Sequence, residues 1–244
     1  MKTKKQILLP GTGKQLEFLR RYFSGEADSI LIIGSSSEIQ ALSLSGSFHT
    51  KVNLITEDYE SFINSKIVLN NQEHVELKMM SFDATDFSNN EFDLIYAQAS
   101  VSSVNRNKIV KEIKRILKPG GFFCVGEIVS LTKEIPQFMK DIFDNSNLLP
   151  LFVDDLNNYY AERKFSILAA ENLSATLKEY YSLNISKLEN VKDNLTDGEK
   201  SYYKKLLNKI SHESNVYLKL GGDKHLGFYT LLLQKGETSL ARQD

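Results

Sequence analysis

Short, continuously apolar runs alternate along the first half of the chain with longer segments whose apolar residues recur at helical spacing. Runs that are rich in β-branched residues and too short for a free-standing helix are typical of buried parallel strands. Because parallel neighbours need long crossovers, this alternation predicts an α/β fold, a parallel sheet with helices on both faces. The predicted strands are 30–33, 52–56, 75–79, 92–97 and 122–125, and the predicted helices are 14–23, 59–70 and 107–117. Gly25 and the run 119–121 are expected to end the first and the last of these helices.

The pattern changes after residue 127, where helical segments dominate. We expect one domain over 1–244, with a core at about 10–170 plus 225–236 and a helical insertion at about 171–222. The lysines of the last helix are expected to face solvent, and the residues after Glu237 are expected to fray. The predicted helices of this half are 136–143, 153–162, 175–183 and 198–210, and its predicted strands are 165–169 and 228–234.

Composition and charge exclude several classes of protein. The 30 basic and 31 acidic residues give a net charge of −1, without the clustered basic excess of a nucleic-acid surface. No apolar run approaches the roughly 20 residues of a membrane span, and the basic start is followed by too few apolar residues for a signal peptide. Cys124 is the only cysteine and lies in a predicted strand, which favours a core position, and the four histidines lack ligand spacing. We expect a cytoplasmic protein without a bound metal.

The turn after the first strand is the strongest candidate for a binding site. Ile30–Ile33 is followed by Gly34 and then by Ser35–Glu38, which opens a helical segment. A strand, a turn of small residues and a helix together direct backbone N–H groups and a helix N-terminus at a ligand. In a parallel sheet the carboxyl ends of the strands form one edge. Residues 34–38, 56–58 and 97–100 and the loop at Asp83 should therefore converge.

Three segments resemble one family. Ile109–Gly121, which ends in Leu-Lys-Pro-Gly-Gly, resembles the helix before strand five of the class I S-adenosylmethionine-dependent methyltransferases, especially the small-molecule branch related to quinone and sterol methyltransferases. Asp83–Phe87, followed by Phe92–Ile95, is similar to that family's acidic adenine loop and fourth strand, and Pro10–Gly13 resembles its N-terminal turn. The resemblance covers roughly 10–170. It implies a Rossmann-like, doubly wound, mostly parallel seven-stranded sheet with Phe228–Gln234 antiparallel and a helical C-terminal lid.

The resemblance implies S-adenosylmethionine as cofactor and S-adenosylhomocysteine as product, but the glycine motif differs from the family's. The family has an acidic residue two positions before its first glycine and further glycines two and four positions after it. This chain has Ile32, Gly34, Ser36 and Glu38 at those positions. A side chain at a positive φ costs about 1–2 kcal/mol. Ser35 and Glu38 also have the spacing of a capping box, which favours Ser35 as N-cap, with Glu38 reaching back, over a ligand contact by Glu38.

The family's second anchor, an acidic residue that accepts both ribose hydroxyls, is displaced as well. Its position corresponds to Thr56, so that Glu57, or alternatively Asp58, would take the role, and an acidic turn exposed to water is the other interpretation. By the same resemblance, Asp83 would accept the adenine amino group while the Ala84 N–H donates to the ring, and a simple turn aspartate is the other interpretation of Asp83. Gln98 and Ala99 would lie beside the reacting methyl group. The implied cofactor-binding set is Gly34, Ser35, Ser36, Glu57, Asp83, Ala84 and Gln98.

The leading functional hypothesis is methyl transfer to a small-molecule acceptor. Attack on an already activated carbon depends on positioning, so a dedicated acid or base is not required. The helices at 170–220 would cover the acceptor, and none of their tyrosines is assigned a catalytic role. A non-catalytic or altered-ligand binding protein on the same scaffold is the alternative. An enzyme for another nucleotide is a third hypothesis, which no complete phosphate-binding motif supports. The alternatives differ in whether the turn at 34–38 leaves room for a cofactor.

Overall fold

The computed structural model describes residues 7–70, 72–191 and 197–236, and within these residues eight strands alternate with eight α-helices. The strands are β1 (Ile30–Ile33), β2 (Val52–Thr56), β3 (Val75–Met79), β4 (Phe92–Gln98), β5 (Leu117–Ser130), β6 (Leu151–Phe152), β7 (Phe165–Asn172) and β8 (Leu226–Lys235). The helices are α1 (Lys14–Tyr22), α2 (Glu38–Phe48), α3 (Tyr59–Leu69), α4 (Arg106–Ile116), α5 (Gln137–Asn145), α6 (Leu156–Glu162), α7 (Thr176–Val191) and α8 (Asp197–Lys219). The predicted tail after Glu237 lies outside the described residues.

The strands form one mostly parallel sheet in the order β3-β2-β1-β4-β5-β8-β7, and the two-residue strand β6 pairs with β5. β8 runs antiparallel to both of its neighbours, β5 and β7. Ile33 at the end of β1 pairs with Ile55 of β2 on one side and with Ala97 of β4 on the other. The three strands therefore end at the same level. The predicted fold class, including the antiparallel strand, is confirmed.

Alternate residues of the buried strand β1 supply two separate cores, which explains its continuous apolar sequence. All four of its residues are fully buried. Leu31 and Ile33 face a core that includes residues of α4 and α6, and Ile30 and Ile32 face the core beneath α1 and α2. A central strand that is covered on both faces favours apolar residues at every position. Cys124 of β5 is likewise fully buried, and burial raises the pKa of its thiol to about 12, so it is a core residue.

Several predicted boundaries differ from the structure: α7 and α8 extend to Val191 and Lys219, beyond the predicted ends at 183 and 210, and two other differences have a local physical reason. Helix α1 ends at Tyr22, before Gly25, because Phe23 leaves the helix in an extended conformation and its ring packs against Phe48 and Phe122. Strand β5 begins at Leu117, directly after α4, and not at Phe122. Leu117 already pairs with Phe92 of β4, and the Pro-Gly-Gly run forms an irregularity in the ladder instead of a separate stop.

Helices α7 and α8 are inserted between β7 and β8 and pack against each other. Tyr181 of α7 and Tyr217 of α8 share a core with Ile128 of β5 and Ile142 of α5. We call α7 and α8 together the lid. No helix in the described ranges is long and apolar enough to cross a membrane.

Candidate functional site

A cavity of about 340 Å³ lies at the carboxyl ends of β1 and β4, beneath the lid. Open α/β sheets bind their ligands at this edge, and the volume lies within the roughly 300–1,000 Å³ of small-molecule sites. Its walls come from the turn after β1, the end of β4, the N-terminal segment 7–10 and the lid. The polar or ionisable side chains in its lining are Ser35, Ser36, Ser61, Gln98, Ser100, Tyr180, Tyr181, Tyr202, Lys209 and Glu213.

The turn after β1 has positive φ angles at Gly34 and Ser36, although only the first of these residues is a glycine. Gly34 has φ +140°, and a Cβ on it would lie 3.0 Å from the Cβ of Ser100. Ser36 has φ +61°, in the left-handed region that favours glycine. Its hydroxyl lies 3.3 Å from the hydroxyl of Tyr202 on α8. Serine therefore takes the strained conformation that the sequence analysis assigned to a family glycine, and the lid contacts it there.

The predicted capping box at Ser35 and Glu38 is wrong. Helix α2 begins at Glu38, its N-cap is Ser37, and no side chain caps it. The Glu38 carboxylate is buried and accepts a hydrogen bond of 2.5 Å from the hydroxyl of Ser65 on α3. Burial raises the pKa of this carboxyl, and the bond from Ser65 opposes that rise. Because Glu38 points at α3, its side chain leaves the cavity open beside Ser36.

The three polar residues at the end of β2, Thr56, Glu57 and Asp58, lie in different environments. Thr56 is fully buried, and its hydroxyl has no hydrogen-bond partner among the described residues. The carboxylate of Glu57 is exposed and accepts the N–H of Phe82 at 2.9 Å. Asp58 accepts the N–H of Ser61 at 2.8 Å and so caps α3. Asp58 is therefore occupied as a cap, and Glu57 is the acidic side chain that remains at this edge.

Asp83 and Ala84 lie in a tight turn after β3. The Asp83 carboxylate accepts the hydroxyl of Ser81 at 2.7 Å, and the Ala84 N–H donates to the carbonyl of Ser81 at 3.4 Å. Asp83 faces a groove along α4 that is lined mainly by lysines, whereas the neighbouring Phe82 lines the cavity. Of the seven predicted site residues, the structure thus brings Ser35, Ser36 and Gln98 to the cavity with Gly34 adjacent, and places Glu57, Asp83 and Ala84 along the neighbouring β2–β3 edge.

Gln98 uses its whole amide to hold the N-terminal turn against β4. Its Nε2 donates to the carbonyls of Pro10 and Thr12 at 2.7 and 2.9 Å. Its Oε1 accepts from Gln40 at 3.2 Å and from the hydroxyl of Tyr96 at 2.7 Å. An amide has two N–H donors and one oxygen with two lone pairs, so no hydrogen-bonding capacity remains for a ligand. Gln98 shapes the cavity, and it also explains why the Pro-Gly-Thr-Gly turn lies at the site.

A buried charge network supports the loop after β4. Glu127 of β5 and Arg106 at the start of α4 are both buried, with Oε1 and Nε 3.3 Å apart. Glu127 also accepts hydrogen bonds from the hydroxyl of Tyr160, at 2.6 Å, and from that of Ser102. Arg106 in turn donates to the carbonyl of Leu149 at 2.6 Å. These contacts fix residues 99–105, whose first two members line the cavity.

Two lid residues that the sequence analysis missed also reach the site. Asn184 of α7 is fully buried and forms two hydrogen bonds to the backbone of Leu8, of 2.8 and 3.0 Å. Glu213 of α8 is buried in the cavity lining, three residues after the apolar Ile210. An acidic residue on the apolar face of a helix was the available signal for Glu213. Asn184 had no such signal, because its partner is 176 residues away.

Comparison with known proteins shows what the chain is similar to. Residues 10–125 match the sequence model of a family described as "Methyltransferase domain". A sterol 24-C-methyltransferase from Gibberella zeae is 40% identical over 63 residues, which are 25% of this chain and 14% of that protein. These matches support the resemblance of this chain to the class I S-adenosylmethionine-dependent methyltransferases. The matched segment is a small part of the fungal protein, so the likeness to that enzyme does not extend to its whole length.

Solved structures share the fold of this methyltransferase domain at low sequence identity. The [4+2]-cyclase SpnF superimposes with a TM-score of 0.72 at 17% identity, over 92% of this chain and 80% of the cyclase. A putative sarcosine dimethylglycine methyltransferase from Galdieria sulphuraria gives 0.71 at 16%, over 91% and 84%. Geranyl diphosphate C-methyltransferase from Streptomyces coelicolor, solved with S-adenosylhomocysteine, gives 0.67 at 13%, over 92% and 77%. One of these proteins is named a cyclase, so the fold alone does not fix the reaction.

Proposed function

We propose that this protein transfers a methyl group from S-adenosylmethionine to a small-molecule acceptor that binds beneath the lid. One observation carries the proposal: a single cavity joins the turn at Ser35 and Ser36 to the side chains of α7 and α8. When bound, the cofactor supplies an activated methyl carbon. The protein then has to hold an acceptor in line with that carbon and limit the access of water, which positioning in a cavity covered by the lid favours.

We further propose that the cofactor lies along the edge from β1 to β3. Ser35, Ser36 and Gly34 offer backbone groups before the N-terminus of α2, which suits the charged tail of the cofactor. Glu57 would accept the ribose hydroxyls, and the Asp83 carboxylate and the Ala84 N–H would bind the adenine. The Glu57–Phe82 hydrogen bond supports this assignment, because it brings the end of β2 next to the loop that carries Asp83.

Calorimetric titration with S-adenosylhomocysteine and S-adenosylmethionine tests the proposal. We expect micromolar binding that Asp83→Ala weakens by about tenfold or more, a loss of about 1.4 kcal/mol. Asp86→Ala is the matched control, since it removes an exposed carboxylate three residues further along the same loop. Unchanged affinity in Asp83→Ala would remove Asp83 from the site. The absence of heat and of thermal stabilisation at millimolar ligand would overturn the proposal.

One observation favours the alternative, a protein on this scaffold with an altered ligand or without catalysis. The position that the resemblance assigns to the ribose-binding acid holds the buried Thr56, whose hydroxyl has no partner among the described residues. A protein that had lost the cofactor would not need an acid there. Glu57→Gln separates the two hypotheses in the same titration. Weaker binding assigns the role to Glu57, whereas no binding by either protein favours the alternative.

A further inference from the structure

Glu213 lies in the part of the cavity that the proposed cofactor residues do not line. It follows Tyr202 on α8 by 11 positions, about three turns or 16 Å along the helix axis. Tyr202 contacts Ser36 at the turn after β1, and Glu213 contacts Ser146, which follows α5. Glu213 is the acidic residue in the cavity lining. The cavity therefore has a serine-lined end beside the cofactor turn and a separate end with a carboxylate.

The charge of Glu213 is only weakly compensated. Its carboxylate accepts a hydrogen bond from the hydroxyl of Ser146, which is a neutral donor, and the neutral phenol of Tyr181 lines the same cavity. The nearest cation, the ammonium of Lys209, lies 4.0 Å from Oε1, and half of that side chain is exposed. Glu213 itself is only 7% exposed. A buried carboxylate is costly unless a cation or several hydrogen bonds compensate it, so this one is suited to a positively charged ligand.

The surrounding walls are aromatic and apolar. Tyr180 and Tyr181 pack edge to face, with ring centroids 4.7 Å apart, and both line the cavity. Burial raises the pKa of both phenols, which therefore stay neutral. Aromatic rings attract cations, and a carboxylate binds an ammonium through charge-assisted hydrogen bonds. The remaining lining at this end is aliphatic: Ile128, Ile142, Leu148 and Leu226.

We propose that the acceptor is an apolar molecule that carries an amine, and that its ammonium group binds Glu213. Calling this molecule the acceptor rests on the proposed function, but its binding to Glu213 can be tested without that function. An ammonium group neutralises the charge of Glu213, and an aliphatic or aromatic body packs against the apolar walls of the cavity. An alcohol leaves the carboxylate without a cation, and an anion is repelled by it. Glu213 and the two tyrosines thus determine the substrate class.

Hexylamine and 1-hexanol form a matched pair of probes, because they differ in the charged group alone at neutral pH. In calorimetric titrations we expect the wild-type protein to bind the amine about tenfold more tightly than the alcohol. Glu213→Gln should abolish this preference, and Glu179→Gln, an exposed carboxylate of the neighbouring helix α7, should retain it. Equal affinities in the wild type, no binding of the amine, or a preference that survives in Glu213→Gln would each overturn the proposal.

A second variant keeps the test decisive if Glu213→Gln does not fold. Lys209→Met removes the nearby cation at a half-exposed position, so that Glu213 is freer to bind an ammonium. We expect tighter amine binding and unchanged alcohol binding, and weaker or unchanged amine binding would contradict the assignment. Titration with S-adenosylhomocysteine on the same samples separates the two proposals. Cofactor binding without an amine preference refutes the amine site alone, and an amine preference without cofactor binding refutes the proposed function alone.

Discussion

Replacing Ser36 with glycine tests why this chain tolerates serine at a position where the family has glycine. Ser36 has φ +61°, a conformation that costs a residue with a Cβ about 1–2 kcal/mol. Glycine removes that cost but gains unfolded-state entropy worth about 0.5–1 kcal/mol, so the backbone alone favours glycine by roughly 0.5–1 kcal/mol. The Ser36 hydroxyl, 3.3 Å from that of Tyr202, contributes about 0.5–1.5 kcal/mol in the opposite direction. The two effects nearly cancel, and Ser36→Gly should change the free energy of unfolding by less than about 0.5 kcal/mol.

Two further variants separate the effects. Ser36→Ala loses the same hydrogen bond but keeps the Cβ, so it should be less stable than Ser36→Gly by roughly 0.5–1 kcal/mol. In a Tyr202→Phe background the hydrogen bond is already absent, and Ser36→Gly should then stabilise the protein by about that amount. Urea unfolding measures each difference, and a change of 1 kcal/mol corresponds to about 2–4 °C in Tm for a chain of this size.

The comparison of glycine with alanine decides the question. If Ser36→Ala is as stable as Ser36→Gly or more stable, the left-handed conformation carries no cost and the account of this turn is wrong. If Ser36→Gly destabilises the Tyr202→Phe protein, the hydroxyl of Ser36 has another partner. Either result would remove the physical reason for regarding serine as a tolerated replacement at the cofactor turn.

Three other predictions follow from buried polar groups. Arg106→Met should destabilise the protein by about 3–5 kcal/mol, because it leaves Glu127 buried without its cation; calorimetry that shows a loss below about 1 kcal/mol would contradict this. Adding Glu127→Leu should recover only part of the loss, because the buried hydroxyls of Tyr160 and Ser102 then lose their acceptor. The pKa of Glu38 is raised in the folded state, so its ionisation lowers the free energy of unfolding as pH rises through that pKa. Glu38→Gln should therefore stabilise the protein at pH 7, and this gain should vanish below the unfolded-state pKa of about 4.3. Urea unfolding of both proteins from pH 4 to 8 measures the difference. Asn184→Leu removes both hydrogen bonds to Leu8 and should speed proteolytic cleavage near the N-terminus, with unchanged rates arguing against a tether.

The sheet was predictable because local sequence determines it. A run such as Ile30–Ile33 has no surface on which to place a polar residue, so its apolar continuity marks a strand covered on both faces. The amphipathic pattern of α4 and the Leu-Lys-Pro-Gly-Gly segment after it can likewise be recognised from residues that are close together in sequence. The start of β5 was misplaced because its first pair, Leu117 with Phe92, depends on a strand 25 residues earlier and not on the glycines that follow Leu117.

The errors and omissions at the site involve partners that lie far apart in sequence. Glu38 has the spacing of a capping box, but Ser65 of the next helix provides a donor at 2.5 Å in a buried setting. Local spacing cannot show which of two possible partners a carboxylate will have once helices pack. Gln98 lines the cavity, but its hydrogen bonds were not predictable, since its partners Pro10 and Thr12 are 88 and 86 residues away.

Helix α8 relates the two proposed subsites to each other. Tyr202 contacts the turn after β1, and Glu213 lines the acceptor end three turns further along the same helix. A helix is rigid over this length, so the separation of the two side chains is fixed by the sequence between them and not by loop conformation. The attachment of α8 to α3 near Tyr202 includes the Lys205–Glu60 ion pair of 2.7 Å, which is exposed and therefore contributes little energy. The burial of Tyr203, Ile210 and Tyr217 therefore holds α8 in place far more than this ion pair does, and the two subsites keep a fixed spacing.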